Sequence, residues 1–181
     1  MTTFDLPTTL EVDGEEKAIY CDFRDVLVIM DAYMQPDLSP QEKAYILLNN
    51  LFVDDFRTFR DIEGAVKVAG WFLDGGKEYS QPAAEGPKLL DWSQDYPLII
   101  AAVNKTAGRE VREAPFLHWW TFLGFFAERG DCQLSTIMGI REKIAKGESL
   151  DKWERQVLRE NQDLIQIKAA GDDDFEKMLG W

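Results

Sequence analysis

The chain has 181 residues, 45% of them apolar, enough to bury roughly 70% of its unfolded surface in a core, which excludes a disordered chain. Its two cysteines, Cys21 and Cys132, lack CxxC spacing, which excludes a disulfide scaffold and a cysteine-ligated zinc site. Against 33 acidic residues stand 20 Lys and Arg, a net charge of −13 that argues against nucleic acid as the main partner.

The elements follow in chain order. Leu10 and Val12, then Asp13-Gly14, then Ala18, Ile19 and Tyr20 predict a β-hairpin over about 8–20. Asp-Gly suits a two-residue turn that needs positive φ at both central positions. Asp22 is placed to cap a helix carrying Val26, Ile29, Met30 and Tyr33. Ser39-Pro40-Gln41-Glu42 opens the next helix, with Ser39 as cap, Pro40 in the first position and Glu42 closing a capping box. A third helix is expected from near Asp61 to Leu73, stopped by Gly75-Gly76.

Residues 75–90, with Gly75, Gly76, Pro82, Gly86 and Pro87, read as a long mobile connection. Four further helices are expected over about 93–107, 114–129, 132–146 and from Ser149 to about Ile167, with Pro97 early in the first and Pro115 in the first turn of the second. The sum is a mainly α fold: a compact helical domain of about seven helices with a short N-terminal β-hairpin. Residues 1–170 form this single domain, and 171–181 form an acidic, flexible tail.

The charge is uneven. Residues 1–108 carry 19 acids and nine bases, and residues 109–159 carry eight acids and nine bases. A soluble protein or a basic peptide segment fits the acidic part as partner. The N-terminus shows no basic region followed by an apolar one, and Ala114–Ala127 is interrupted by His118, Thr121 and Gly124. Neither a secretory nor a membrane-spanning segment is expected, and the chain reads as cytoplasmic, with no membrane partner.

His118 is the one imidazole. It lies among Phe116, Leu117, Trp119, Trp120 and Phe122, on a helix expected to be central and apolar almost all round. A packed, hydrogen-bonded histidine fits better than a catalytic one, because no serine or cysteine sits in a nucleophile motif. Asp54-Asp55 and Asp172-Asp173-Asp174 are acidic runs without the spacing of a metal loop. No GxGxxG or GxxxxGK[ST] is present. Neither a catalytic residue, a cofactor nor a metal is therefore expected, and the chain is read as no enzyme.

Several segments, taken in order, resemble one family. They are Asp22-Phe23-Arg24, Ser39-Pro40-Gln41-Glu42-Lys43-Ala44, Leu90-Asp91-Trp92-Ser93-Gln94-Asp95 leading into Ile99-Ile100-Ala101-Ala102, Phe116-Leu117-His118-Trp119-Trp120-Thr121-Phe122, and Ile137-Met138-Gly139-Ile140-Arg141. Together they resemble the bacteriophage "gene product fifteen" family over about residues 6–167. The His-Trp-Trp-x-Phe run is the most specific element. Pro97 departs from the family pattern, and the 75–90 loop and 172–181 tail have no match in it.

The resemblance implies a tail-module protein of the host cytoplasm, a chaperone that coats the tape-measure protein during tail assembly. The tail tube and a second chaperone are further candidate partners. A structural virion component, such as a head–tail connector or tail-completion protein, is the alternative. The family supplies no catalytic residues. The motif residues Phe116, His118, Trp119, Trp120, Phe122 and Arg141 are expected in the core. A partner surface is expected on the 75–90 loop and the C-terminal helix, with Phe175 and Trp181 as candidate anchors in the tail.

Overall fold

The computed structural model describes residues 5–77 and 86–167. Half of the 75–90 loop, residues 78–85, and the whole acidic tail, with Phe175 and Trp181, lie outside them. The described residues form a two-stranded hairpin followed by eight α-helices and two 3₁₀ turns.

The hairpin pairs β1 (Thr9–Val12) with β2 (Glu15–Ala18), in the register Leu10 opposite Lys17 and Val12 opposite Glu15. Asp13 and Gly14 take φ values of 57° and 78°, the conformation expected of Asp-Gly in a two-residue turn. Leu10 and Val12 turn inward and are buried. A lone hairpin is marginal, and three attachments hold this one. The Asp13 carboxylate accepts the backbone N–H groups of Arg60 and Asp61 at 2.8 and 2.9 Å. Leu51 C=O accepts from Tyr20 N–H, and Ala18 C=O accepts from Val53 N–H.

Helices α1 (Phe23–Met34), α2 (Pro40–Leu51) and α3 (Ile62–Leu73) start where their side-chain caps place them. Asp22 accepts from Arg24 N–H. Ser39 and Glu42 form the reciprocal capping box. Asp61 accepts from Gly64 N–H. Helices α4 (Tyr96–Ala107) and α6 (Gln133–Lys146) end at Gly108 and Gly147, both left-handed, as helix ends favour.

The main core gathers Phe23 and Ile29 of α1, Leu47 and Leu51 of α2, Phe72 of α3, Ile99 and Val103 of α4, and Trp119 and Phe122 of α5 (Trp119–Ala127). The Phe23 and Phe122 rings stack at 4.8 Å, with only 7° between their planes. A smaller cluster joins Ile137 and Ile140 of α6 to Ile165 of α8 (Gln162–Ile165). Leu98 packs against both clusters.

Three boundaries differ from expectation. Helix α5 begins at Trp119 rather than near 114, so Pro115 is not in its first turn. The approach is extended instead: Leu117 C=O accepts from Phe23 N–H and Cys21 C=O accepts from Trp119 N–H, an antiparallel bridge centred on Asp22 and His118. Helix α4 begins at Tyr96 rather than 93, which puts Pro97 in the tolerated first turn. The last expected helix is two, α7 (Lys152–Glu160) and α8, because Asn161 leaves helical geometry and its carboxamide donates to Val157 C=O at 3.0 Å.

Candidate functional site

Four of the motif residues, His118, Trp119, Trp120 and Phe122, meet where α1, α3 and α5 converge. His118 is the N-cap of α5: its Nδ1 accepts from Trp120 N–H at 3.1 Å. Its Nε2 lies 2.9 Å from Pro7 C=O. A carbonyl can only accept, so Nε2 carries the proton and the ring is neutral. Burial pushes the His118 pKa down, against a smaller upward pull from the Pro7 bond. Both ring nitrogens are committed to holding the fold.

The two indoles complete the end of α3. The last four carbonyls of a helix lack partners inside it. Here Gly70 C=O accepts from Asp74 N–H, Trp71 C=O from Gly76 N–H and Phe72 C=O from Gly75 N–H. Leu73 C=O accepts from Trp119 Nε1–H, and Phe72 C=O accepts a second bond from Trp120 Nε1–H, both at 2.9 Å. Gly75 and Gly76 have φ of 71° and 79°, as this glycine-terminated cap requires. A Cβ on Gly76 would stand 2.6 Å from Trp120 Cη2, so the glycine is needed for space as well as for φ.

Asp22 joins the strands leading into α1 and α5. Its carboxylate caps α1, pairs with the Arg24 guanidinium at 2.9 Å and accepts Leu117 N–H at 2.9 Å. Arg24 also donates to the carbonyls of Arg112 and Ala114.

Arg141 forms a second constellation. Its guanidinium makes a bidentate pair with Asp95 at 2.6 and 2.9 Å, both side chains being buried. It also donates to the carbonyls of Leu89, Leu164 and Ile165. All its donor directions are used, as burial of a charge demands. Asp95 also accepts Asp91 N–H at 2.9 Å. Asp91 accepts from Ser93 N–H, Gln94 N–H and the Lys88 ammonium. Burial raises the Asp91 pKa, but these bonds outweigh it and the net shift is down.

Of the motif residues, His118, Trp119, Phe122 and Arg141 are buried and Trp120 is half-buried. Phe116 corrects the expectation of a core position: it is 55% exposed. The reason is the later start of α5, which leaves Phe116 in the extended approach rather than on the helix face shared by Trp119 and Trp120. Sequence reasoning gives no role to Asp95 or Pro7. Asp95 stands in a quoted motif, but nothing local announces a pair 46 positions away.

Among the described residues, no group of three or more His, Cys, Asp or Glu could hold a metal ion. Asp55 caps a 3₁₀ turn and Asp54 lies 3.9 Å from Lys17. The run 172–174 lies outside the described residues. Both cysteines are free thiols. No described helix is long and apolar enough to cross a membrane.

Among the concavities on the surface of the described residues are a groove and a smaller cleft. A groove of about 380 Å³ between α6, α7 and α8 is lined by Ile144, Leu158, Ile165 and Ile167, with Lys88 beside them. A cleft of about 190 Å³ on α1 and α2 is lined by Tyr20, Asp25, Val28, Asn49 and Asn50. Trp153 on α7, 59% exposed, and Val28, 58% exposed, are the most open large apolar side chains among the described residues.

A family model described as Bacteriophage Gp15 protein matches residues 3–167. No curated protein and no solved structure matches the chain.

Proposed function

The chain belongs to the Bacteriophage Gp15 protein family, and on that premise we propose that it is a non-enzymatic tail-assembly protein, a chaperone that binds the tape-measure protein in the host cytoplasm. Family membership suggests a phage structural or assembly protein. The chaperone role is the finer reading. One observation supports the non-enzymatic part of this reading above the others: the motif side chains best suited to chemistry are spent on the fold. His118 uses both nitrogens as cap and tether, and Arg141 is saturated by Asp95 and three carbonyls. What remains outside is a surface with scattered exposed apolar side chains: Tyr20 and Val28 in the acidic N-terminal part, Phe116 and Trp153 in the near-neutral stretch 109–159. Such a surface suits an amphipathic helix offering anchors at i, i+3, i+4 and i+7. Charge complementarity then speeds encounter and permits release.

The test is made on particles. Mature virions are purified, and the chain is quantified by mass spectrometry against the tail-tube protein, with the lysate as control. Abundance in lysate and absence from virions is the expected result. A fixed ratio in the virion would make it a structural component and overturn the chaperone reading.

A further inference from the structure

The cleft on α1 and α2 holds polar groups that the fold does not use. The Asp25 carboxylate, the Asn49 carboxamide and the Tyr20 hydroxyl belong to residues that line it, and none of the three groups makes a hydrogen bond or ion pair among the described residues. Their neighbour is committed: Asn50 donates to Ile46 C=O at 2.8 Å. Val28 and the Tyr20 ring supply the apolar walls, 58% and 47% exposed. The walls stand on rigid elements, since Val26 and Ile29 of α1 and Leu47, Leu48 and Leu51 of α2 are buried beneath them.

The chain around this cleft is acidic: residues 20–53 carry five acids and two bases. Both bases are spent: Arg24 on Asp22 and two carbonyls, Lys43 on Tyr33 C=O at 3.0 Å. Asp25 therefore faces the cleft beside another carboxylate, Asp22. Burial and that neighbour push its pKa up, against a smaller downward pull from Arg24. An incoming cation would relieve both effects.

We propose that this cleft receives an arginine or lysine side chain from a helical protein partner. The carboxylate of Asp25 and the carbonyl oxygen of Asn49 accept its N–H groups, the Tyr20 ring offers a π face, and Val28 packs on its aliphatic stem. Arginine fits better than lysine, because a planar guanidinium stacks on the ring while its edge donates. The proposal rests on the reading of the chain as a binder of a tail protein, and it names the chemistry that one face of that binder selects.

The probe is a synthetic alanine-rich helical peptide of about 18 residues, long enough to be helical. It carries one central arginine flanked by leucines. A second peptide replaces the arginine by neutral citrulline. Each is titrated at low salt into the ¹⁵N-labelled full chain. The arginine peptide should shift the signals of Tyr20, Asp25, Val28 and the Asn49 carboxamide. Asp25→Asn should weaken it about fivefold, as for a part-exposed charge pair. Val28→Arg should abolish binding by placing the chain's own cation in the cleft. That position is exposed on a helix, so the fold should tolerate the change. Equal binding of the citrulline peptide, shifts confined to the α6–α7–α8 groove, or no shifts would overturn the proposal. Co-purification with a tape-measure fragment separates the two readings. A wild-type chain that fails to capture it defeats the chaperone reading, whereas a Val28→Arg chain that captures it as well as wild type defeats the cleft.

Discussion

Trp119 and Trp120 are neighbours that cap neighbouring carbonyls, yet the structure assigns them different weights. The perturbation is tryptophan to phenylalanine at each position, which keeps an aromatic ring and removes the N–H. At Trp119 the loss leaves Leu73 C=O without its indole partner in a fully buried setting. An orphaned buried acceptor costs about 1–3 kcal/mol, and the smaller ring adds roughly another 1 kcal/mol of lost packing. The sum is about 2–4 kcal/mol. At Trp120 the ring is only half-buried, and Phe72 C=O keeps the Gly75 N–H at 3.1 Å. The cost there is about 1 kcal/mol, a single net hydrogen bond. Urea unfolding followed by far-UV circular dichroism measures both, because six tryptophans blur fluorescence. With a slope of about 2 kcal/mol/M, the midpoint should fall by about 1–2 M for Trp119→Phe and by about 0.5 M for Trp120→Phe. Equal shifts, or a larger shift at Trp120, would refute the assignment of the Leu73 carbonyl to Trp119 alone.

Three further outcomes follow from the same geometry. Asp95→Asn leaves Arg141 buried without its counter-charge and should destabilise by about 3–5 kcal/mol; thermal melts against wild type measure it, and a loss below about 1 kcal/mol would count against a buried ion pair. Gly76→Ala meets both a φ of 79° and the Trp120 ring, whereas Gly147→Ala meets a φ of 68° in open space; chemical denaturation should therefore show roughly 1 kcal/mol for Gly147, the ordinary penalty of a left-handed residue, and more for Gly76. Lowering pH through the histidine range should destabilise the chain. The folded His118 binds its proton at a lower pH than the unfolded one, so its contribution is complete above about pH 6.5 and is lost as pH falls toward the folded pKa, with a slope of at most about 1.4 kcal/mol per unit. His118→Asn should flatten that slope in a denaturation series run between pH 5 and 7; an unchanged slope counts against the neutral, tethered ring.

Features written in short windows are legible in the sequence. The Asp13-Gly14 turn, the Ser39–Glu42 capping box and the Asp22 cap are each decided by residues within a few positions, and all three form as expected. Features decided across the chain are not legible in this way. Helical periodicity misplaces the start of α5 because the pairing of residues 117–119 with 21–23 overrides it from about 95 positions away. Phe116 reads as core for the same reason. Arg141 stands out as a motif residue, but its partner Asp95 looks locally like a helix cap and makes no side-chain cap bond. The cleft leaves no pattern at all, since Tyr20, Asp25 and Asn49 gather only when α1 packs on α2.

The completion of α3 by indoles from α5 has a consequence for the order of events during synthesis. The last turn of α3 is made of residues 70–73, but two of its carbonyl bonds come from residues 119 and 120. Pro7, at the other extreme, is tied to residue 118. Every nascent chain that has not yet released the His-Trp-Trp segment therefore holds an N-terminal half with an open helix end and an untethered leading segment. Such long-range closure slows folding and prolongs the exposure of apolar surface. A fragment ending before residue 117 should collapse without a fixed structure, and a translational pause placed just upstream of that point should make the protein more vulnerable to aggregation and proteolysis than one placed after Ala127.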